Sequence, residues 1–136
     1  MVGKSMEQYL LDTSACIAII RGNRQVQQKV LSVGRDNCMV SEMTIAELYY
    51  GASKSGRVKH FEDVRNILRF FDVLPVFESL PTYGRVKATL EAQGNRIDEM
   101  DLLIGSSALH HNMTIVTHNT KHLSRIPNIK IEDWEA

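Results

Sequence analysis

The stretch Tyr9–Ile20, YLLDTSACIAII, decides the fold, because polar side chains interrupt an otherwise apolar run. The run begins with β-favouring residues and continues with a helical pattern, so the interruption marks the end of a strand and the start of a helix. Asp12 places a carboxylate at this junction, and Thr13 and Ser14 add two hydroxyls. Polar groups at such a junction cap the helix or face a cleft.

Short apolar segments alternate with longer helical patterns along the rest of the chain. This alternation predicts βαβ units and therefore an α/β fold with a parallel sheet. Parallel crossovers are right-handed, so the carboxyl ends of the strands gather at one edge, where ligands of such sheets bind. We predict strands at Tyr9–Leu11, Cys38–Val40, Val73–Phe77, Thr114–Thr117 and Ile129–Ile131, and helices at Ser14–Arg21, Gln25–Val33, Thr44–Ser53, Arg57–Phe71, Leu80–Gln93 and Glu99–His111.

Length and composition favour a single domain over residues 1–136, since 43% hydrophobic residues is enough for a core. The 16 basic and 16 acidic residues cancel, so a polyanion would have to bind a local patch. Cys16 and Cys38 stand among apolar neighbours, which suits buried thiols in a reducing compartment and favours a cytoplasmic protein.

The opening MVGKSM lacks the apolar stretch of a signal peptide, and we find no run that predicts a membrane span or membrane partner. We interpret residues 1–5 as a leader or an expression remnant ahead of a second start at Met6.

A second carboxylate, Glu47, stands in VSEMTIAELYYG near the start of a predicted helix. The apolar stripe of this helix includes Ile45 and Leu48, and Glu47 falls on the opposite side. Two interpretations stay open. Thr44 and Glu47 match a T-x-x-E capping box, in which Glu47 would bind backbone donors at the helix start. Alternatively, Glu47 faces the same cleft as Asp12.

Two further candidate residues, Asp98 and Asp101, stand in RIDEMDLLIGSSALHH, at the start of a helix that is apolar nearly all round and should be largely buried. Asp98 is explained as the N-cap of this helix, which hydrogen bonding and the helix dipole both favour. Asp101 shares a face with Ile104 and Ala108, so its carboxylate lies on an inner stripe. Because a buried charge needs a partner or a metal, an ion pair and a functional role both stay open.

The stretch TIVTHNTKHL repeats the first pattern, since a strand ends in Thr117 and Asn119. Two strand ends and two helix starts thus direct Asp12, Glu47, Asp101 and Asn119 toward one pocket. Clustered carboxylates raise one another's pKa unless a cation lies among them. Oxygen donors without histidine or thiolate favour Mg²⁺ or Mn²⁺, which activates water and neutralises charge on a phosphodiester.

Taken together, LLDTS, VSEMTIAELYYG, MDLLIGSSAL and VTHNTKHLSRIPNIKIEDW resemble the PIN-domain family, specifically the VapC-type ribonuclease toxins of type II toxin-antitoxin pairs. The likeness extends from about Met6 to Trp134, with the four motifs in the family's order. It implies a three-layer α/β/α fold with a central parallel sheet of four to five strands. It also implies a divalent cofactor, Mg²⁺ or Mn²⁺, in an acidic pocket.

The resemblance implies that Asp12, Glu47 and Asp101 are the catalytic, metal-binding acids, with Glu47 contacting the metal through water. Thr13 and Ser14 would then support the pocket. The hydroxyl of Thr117 would form a hydrogen bond near Asp12.

Two positions depart from the family pattern. Asn119 stands where many PIN domains have a fourth acid, although an amide also occurs in toxins of this type. Asp98 stands where similar toxins often have glycine, so its carboxylate either replaces part of the missing charge or serves only as the N-cap.

The activity implied is that of a metal-dependent endoribonuclease that cleaves RNA, with transfer RNA as the suggested substrate, and inhibits translation. The implied partners are a VapB-like antitoxin and a second copy of the chain in a homodimer. A catalytically weak PIN-like module that acts by binding RNA or a partner is the alternative, and Asn119 is its only support. A phosphatase of the haloacid dehalogenase pattern requires a second aspartate where Ser14 stands, which argues against it.

Histidine, basic and aromatic groups carry weaker signals. His118 and His122, four residues apart, and the adjacent His110 and His111 suggest zinc, but these spacings suit exposed polar positions better. One group of basic residues either binds RNA phosphates or forms a solvated helix face. One group of aromatic residues either packs in the core or contacts the second copy and the antitoxin. The basic group comprises Lys54, Arg57, Lys59, His60 and Arg65, and the aromatic group comprises Tyr49, Tyr50, Phe61, Phe70 and Phe71.

Overall fold

Five short strands and the helices that connect them make up the computed structural model, which describes residues 7–136. The leader expected at residues 1–5 lies outside the described residues. The strands are β1 (Tyr9–Leu11), β2 (Cys38–Ser41), β3 (Asp72–Leu74), β4 (Thr114–Val116) and β5 (Lys130–Glu132). The helices are α1 (Thr13–Ile20), α2 (Arg24–Val33), α3 (Glu42–Ser55), α4 (Val58–Phe70), α5 (Leu80–Ala92), α6 (Glu99–His110) and α7 (Thr120–Leu123), with 3-10 turns at Arg35–Asn37 and Phe77–Ser79.

Each strand and helix predicted from the sequence is present. Most predicted bounds differ from the observed ones by one to three residues, and two of these differences have a clear physical reason. The third strand ends at Leu74 rather than Phe77, because Pro75 has no N–H with which to continue the ladder. Helix α3 begins at Glu42 rather than Thr44, because the hydroxyl of Ser41 accepts a hydrogen bond from the amide of Met43 at 3.0 Å.

The sheet has the strand order β3-β2-β1-β4-β5, and every neighbouring pair is parallel. The chain adds β2 and β3 on one side of β1 and then places β4 on the other side. This reversal leaves a crevice at the carboxyl ends of β1 and β4, where open α/β sheets bind their ligands. The amide of Asp12 donates to the carbonyl of Val116 at 3.0 Å, which sets the two strand ends side by side.

Two hydrophobic cores lie on opposite faces of the sheet and give the protein three layers. Consecutive side chains of a strand point to opposite faces, so Leu10 packs in one core and Leu11 in the other, and both are 0% exposed. Helices α1 to α4 cover the Leu11 face, and helices α5 to α7 cover the Leu10 face. The predicted three-layer α/β/α arrangement is therefore confirmed.

Helix α6 is the most buried helix segment near the crevice, and Gly105 permits its close packing. A Cβ atom on Gly105 would lie 2.5 Å from Cδ1 of Ile126 and 2.9 Å from Cδ1 of Leu123, and both neighbours are buried. Glycine therefore allows α6 to approach the segment that follows β4.

We expect Gly105→Ala to lower the free energy of unfolding by about 1–3 kcal/mol, because the added methyl forces its neighbours out of place. Urea unfolding measures the change. Gly51 on α3 is the matched control, since a Cβ there would meet nothing within 4 Å. Gly51→Ala should stabilise the protein by about 0.5–1 kcal/mol through helix propensity. Equal stabilisation by both variants would contradict the packing account.

The cysteines and the helices of the described residues bear on the environment expected for the chain. Cys16 and Cys38 are buried free thiols, as expected. Within residues 7–136, no helix combines the length and the apolar character needed to cross a membrane.

Candidate metal-binding active site

Asp12 both caps α1 and faces the crevice. Its Oδ1 accepts hydrogen bonds from the amide of Ala15 at 3.0 Å and from the hydroxyl of Ser14 at 2.7 Å, and the residue is only 4% exposed. Ser14 Oγ in turn accepts from the amide of His118 at 3.1 Å, so it connects the ends of β1 and β4. No hydrogen bond within residues 7–136 engages Asp12 Oδ2, which leaves this oxygen as a free acceptor.

Glu47 lies in the second turn of α3 and is held by the residue that follows Asp12. The hydroxyl of Thr13 donates to Glu47 Oε1 and lies 3.3 Å from the hydroxyl of the buried Thr44. Thr44 is inside the helix, so Glu47 is too far from the helix start to cap it. The capping-box interpretation is therefore wrong, and Glu47 belongs to the crevice.

Asp98 is the N-cap of α6, as predicted. Its Oδ2 accepts from the amides of Met100 at 3.1 Å and Asp101 at 3.4 Å. Asp101 follows in the first helical turn and is half-buried. Its Oδ2 accepts from the Nδ2 of Asn119 at 3.0 Å, which connects α6 to the turn after β4.

The carboxylates in the crevice act on one another electrostatically. Burial, together with the carboxylates of Asp98, Asp12 and Glu47, raises the pKa of Asp101 to about 6, and the hydrogen bond from Asn119 opposes this increase. None of the ion pairs within residues 7–136 includes any of these four acids. The ion-pair explanation of Asp101 is therefore wrong, and the crevice is a negatively charged pocket without a basic partner.

The donor atoms of this pocket fit a hard divalent ion. They are carboxylate oxygens with no imidazole or thiolate among them, which is the set that Mg²⁺ and Mn²⁺ prefer. Asp12, Glu47 and Asp101 do not form a trio whose donor atoms all lie within 4.8 Å of one another. This spacing suits Mg²⁺, which keeps several of its waters and needs few direct protein ligands.

Thr117 supports Asn119 rather than Asp12. Its hydroxyl accepts from the amide of Asn119 at 2.9 Å, as hydroxyls do in turns of this kind. In the described part of the chain no hydrogen bond joins Thr117 to Asp12, and Ser14 fills that role instead. The hydrogen bond predicted for Thr117 near Asp12 thus forms with the amide of Asn119, in the turn after the strand that pairs with Asp12.

His118 and His122 do not form the pair that would bind zinc, because each ring contacts a different group. His118 Nδ1 lies 3.1 Å from Asp133 and 4.0 Å from Glu135, whereas His122 Nδ1 lies 2.7 Å from Asn119 Oδ1. Among the residues described, His118, Asp133 and Glu135 form the one compact trio of potential ligands, and it lies outside the carboxylate pocket. The contact between His122 and Asn119 was not predicted from the sequence. The three-residue separation of the two side chains was the signal available for it.

The chain has counterparts among known proteins. A model of the PIN domain matches residues 9–129. The chain belongs to the PIN-domain family. Ribonuclease VapC2 of Rickettsia felis is 35% identical to this PIN domain, over 93% of this chain and 98% of the relative. The tRNA(fMet)-specific endonuclease VapC of Shigella flexneri is 28% identical, over 95% and 99% of the two chains.

Solved structures support the same assignment. A crystal structure of VapBC2 from Rickettsia felis, bound to a DNA fragment from its promoter, matches this PIN domain with a TM-score of 0.87 and 31% identity, over 93% of this chain and 98% of the other. A DNA-bound VapBC from Salmonella typhimurium matches with a TM-score of 0.86 and 27% identity, over 95% and 99%. The resemblance to VapC-type ribonucleases and the PIN-like fold are thus confirmed.

Proposed function

We propose that this PIN domain, as a single domain over residues 1–136, is the endoribonuclease toxin of a type II toxin-antitoxin pair. It cleaves phosphodiester bonds in RNA, with transfer RNA as the substrate class, and thereby inhibits translation. The observation that carries the proposal is the group of carboxylates at the switch point of the sheet, none of which forms an ion pair within residues 7–136. Relatives named as ribonucleases and as a tRNA endonuclease match nearly the whole chain.

In this proposal Asp12 and Asp101 bind Mg²⁺ or Mn²⁺ directly, and Glu47 binds it through water. A divalent ion bound there supplies a water of lowered pKa and neutralises the charge that develops on the phosphodiester. Thr13 already occupies Oε1 of Glu47, which supports the indirect role of this residue.

The protein's own contribution is to hold these acids in place before substrate binds. Ser14 and the amide of Ala15 fix Oδ1 of Asp12, so Oδ2 stays directed to the pocket. Asn119 holds Oδ2 of Asp101 in the same way and leaves its Oδ1 as the acceptor. Such supporting bonds fix the orientation of metal-binding carboxylates and are needed for affinity. Thr13 holds one oxygen of Glu47 and leaves the other for the water through which Glu47 would bind the metal.

An apolar groove between α1, α2 and α4, with a volume of ≈ 420 Å³, is the proposed site for the VapB-like antitoxin. Leu31 is 76% exposed and Phe70 is 57% exposed along it, whereas Phe71 is buried. An amphipathic helix would cover such a groove with its apolar face. The other apolar residues that line the groove are Ile19, Ile20, Val30 and Ile67.

Two exposed surfaces are assigned to the remaining partners. Tyr49 and Tyr50 on α3 are 41% and 67% exposed, and we assign them to contacts with a second copy in a homodimer. The predicted basic group remains the proposed surface for RNA phosphates. Its exposed members are Lys54, Arg57, Lys59 and Arg65.

The nuclease proposal is tested by incubating the purified protein with a defined pool of transfer RNAs, with Mg²⁺, with Mn²⁺ and with chelator. We expect discrete cleavage products with either ion and none with chelator. Cleavage that persists in chelator would contradict the metal site. RNA binding without cleavage in any condition would favour the binding-module alternative, for which the neutral Asn119 is the supporting observation.

A further inference from the structure

A chain of two hydrogen bonds runs from the surface into the carboxylate pocket. His122 Nδ1 lies 2.7 Å from Asn119 Oδ1, and Asn119 Nδ2 lies 3.0 Å from Asp101 Oδ2. His122 is exposed on the short helix α7, Asn119 is half-buried, and Asp101 is the acid whose pKa the pocket raises. The surface histidine is thus connected to a proposed metal ligand through one amide.

The chemistry of the three groups fixes the direction of both bonds. An ionised carboxylate only accepts hydrogen bonds, so the amide must present Nδ2 to Asp101 and Oδ1 to His122. The Nδ1 of His122 must then carry a hydrogen, which holds for the neutral ring with Nδ1 protonated and for the charged ring alike. The direction of the chain therefore does not depend on the charge of His122.

Asp101 and His122 hold this orientation of the amide from its two ends. The bond to the hydroxyl of Thr117 engages only the backbone amide of Asn119, and within residues 7–136 the side-chain amide bonds to Asp101 and His122 alone. If the amide reversed, Oδ1 would face the carboxylate of Asp101, and two acceptors would lie at the distance of a hydrogen bond. Asp101 would lose its donor and with it the bond that fixes which oxygen faces the pocket.

We propose that His122 is a positioning residue, which holds the Asn119 amide on Asp101 and so leaves Asp101 Oδ1 as the metal-binding atom. The inference rests on the proposed nuclease function. His122 contacts neither the metal nor the RNA in this account, and it acts only through Asn119.

Three substitutions of His122 separate hydrogen-bond direction from packing. His122→Lys keeps a donor, His122→Glu offers only acceptors at neutral pH, and His122→Ala offers neither. The side chain is exposed, so none of the three removes core packing. Residues that orient metal ligands affect metal affinity by roughly 10–100-fold. We expect the Mn²⁺ concentration for half-maximal RNA cleavage to rise about tenfold in His122→Glu, less in His122→Ala, and by under about twofold in His122→Lys.

Two control variants test whether His122 changes the Mn²⁺ requirement through Asn119. Lys121→Gln removes one positive charge from the neighbouring exposed position and leaves His122 in place, so it should leave the Mn²⁺ requirement unchanged. Asn119→Ala removes the intermediary, so His122→Glu should have no further effect in that background.

Equal effects of His122→Lys and His122→Glu would overturn the inference, as would a His122→Glu effect that persists in Asn119→Ala. Failure of the proposed function is distinguishable, because the wild-type protein would then cleave no RNA with any metal. If the wild type cleaves no RNA, calorimetric titration measures the Mn²⁺ affinity of the same variants. Unchanged Mn²⁺ affinity in His122→Glu would overturn the inference there too.

Discussion

Replacing Asp101 with asparagine should make the metal-free protein more stable while removing metal-dependent cleavage. The substitution keeps the shape of the side chain, and its amide oxygen still accepts the hydrogen bond from Asn119. It removes one of four mutually repelling carboxylates. Loss of a direct ligand should reduce cleavage by more than about 100-fold, the upper range for residues that only orient ligands.

The stability change follows from the pKa of Asp101, which is about 6 in the folded protein against an ordinary 3.8. The folded state binds this proton more tightly than the unfolded state, so stability falls as the pH rises through this interval. Above this pH interval, the charged Asp101 lowers the free energy of unfolding by its full amount. Because Asp101 is only half-buried, solvent screens the effect, and we expect Asp101→Asn to add on the order of 1 kcal/mol at about pH 7.5. The gain should shrink toward zero near about pH 4.

Urea unfolding in chelator at the two pH values measures this prediction. Asp36→Asn is the matched control, because Asp36 is exposed in the turn before β2 and should show little change at either pH. Mn²⁺ at about 100 times its dissociation constant should add about 2.7 kcal/mol to the wild type and far less to Asp101→Asn. An Asp101→Asn protein that is less stable than wild type at the higher pH would contradict the claim that the carboxylates of the pocket repel one another.

Asp12→Ala and Asp12→Asn should separate the two roles of this aspartate. Both variants should lose cleavage, because neither supplies the carboxylate that binds the metal. Asp12→Ala should also lower the free energy of unfolding by about 1–2 kcal/mol, since it removes the N-cap of α1. Asparagine caps helices as well as aspartate does, so Asp12→Asn should keep most of that stability.

The measurement pairs urea unfolding with RNA cleavage for the same two proteins. Equal stability losses would show that the side chain of Asp12 does not cap α1. Full cleavage by Asp12→Asn would remove Asp12 from the proposed metal ligands.

Much of this architecture could be predicted because its signals are local. The change from strand to helix period at Asp12 is visible in one stretch of twelve residues, and it recurs before Asn119. Parallel topology then brings such strand ends together without any further information. The convergence of Asp12 and Asn119 on one crevice follows from these two facts.

Other features could not be predicted, because more than one residue in the sequence suited the same structural role. Ser41 and Thr44 are both suitable helix caps, and only the hydrogen bond that the amide of Met43 donates to the hydroxyl of Ser41 shows which one acts. The role of Glu47 depended on that choice. The contact between Asn119 and Asp101 joins residues 18 positions apart, and the four residues of α7 are too few to show a helical period.

The central claim is that the carboxylate pocket binds the ion that RNA cleavage requires. Crystals of the wild type and of Asp101→Asn, soaked in Mn²⁺ at a concentration that supports cleavage, test it directly through the anomalous signal of manganese. The account predicts a peak between the carboxylates of Asp12 and Asp101 in the wild type and none there in the variant. A peak at His118, Asp133 and Glu135, with no manganese in the carboxylate pocket, would contradict it.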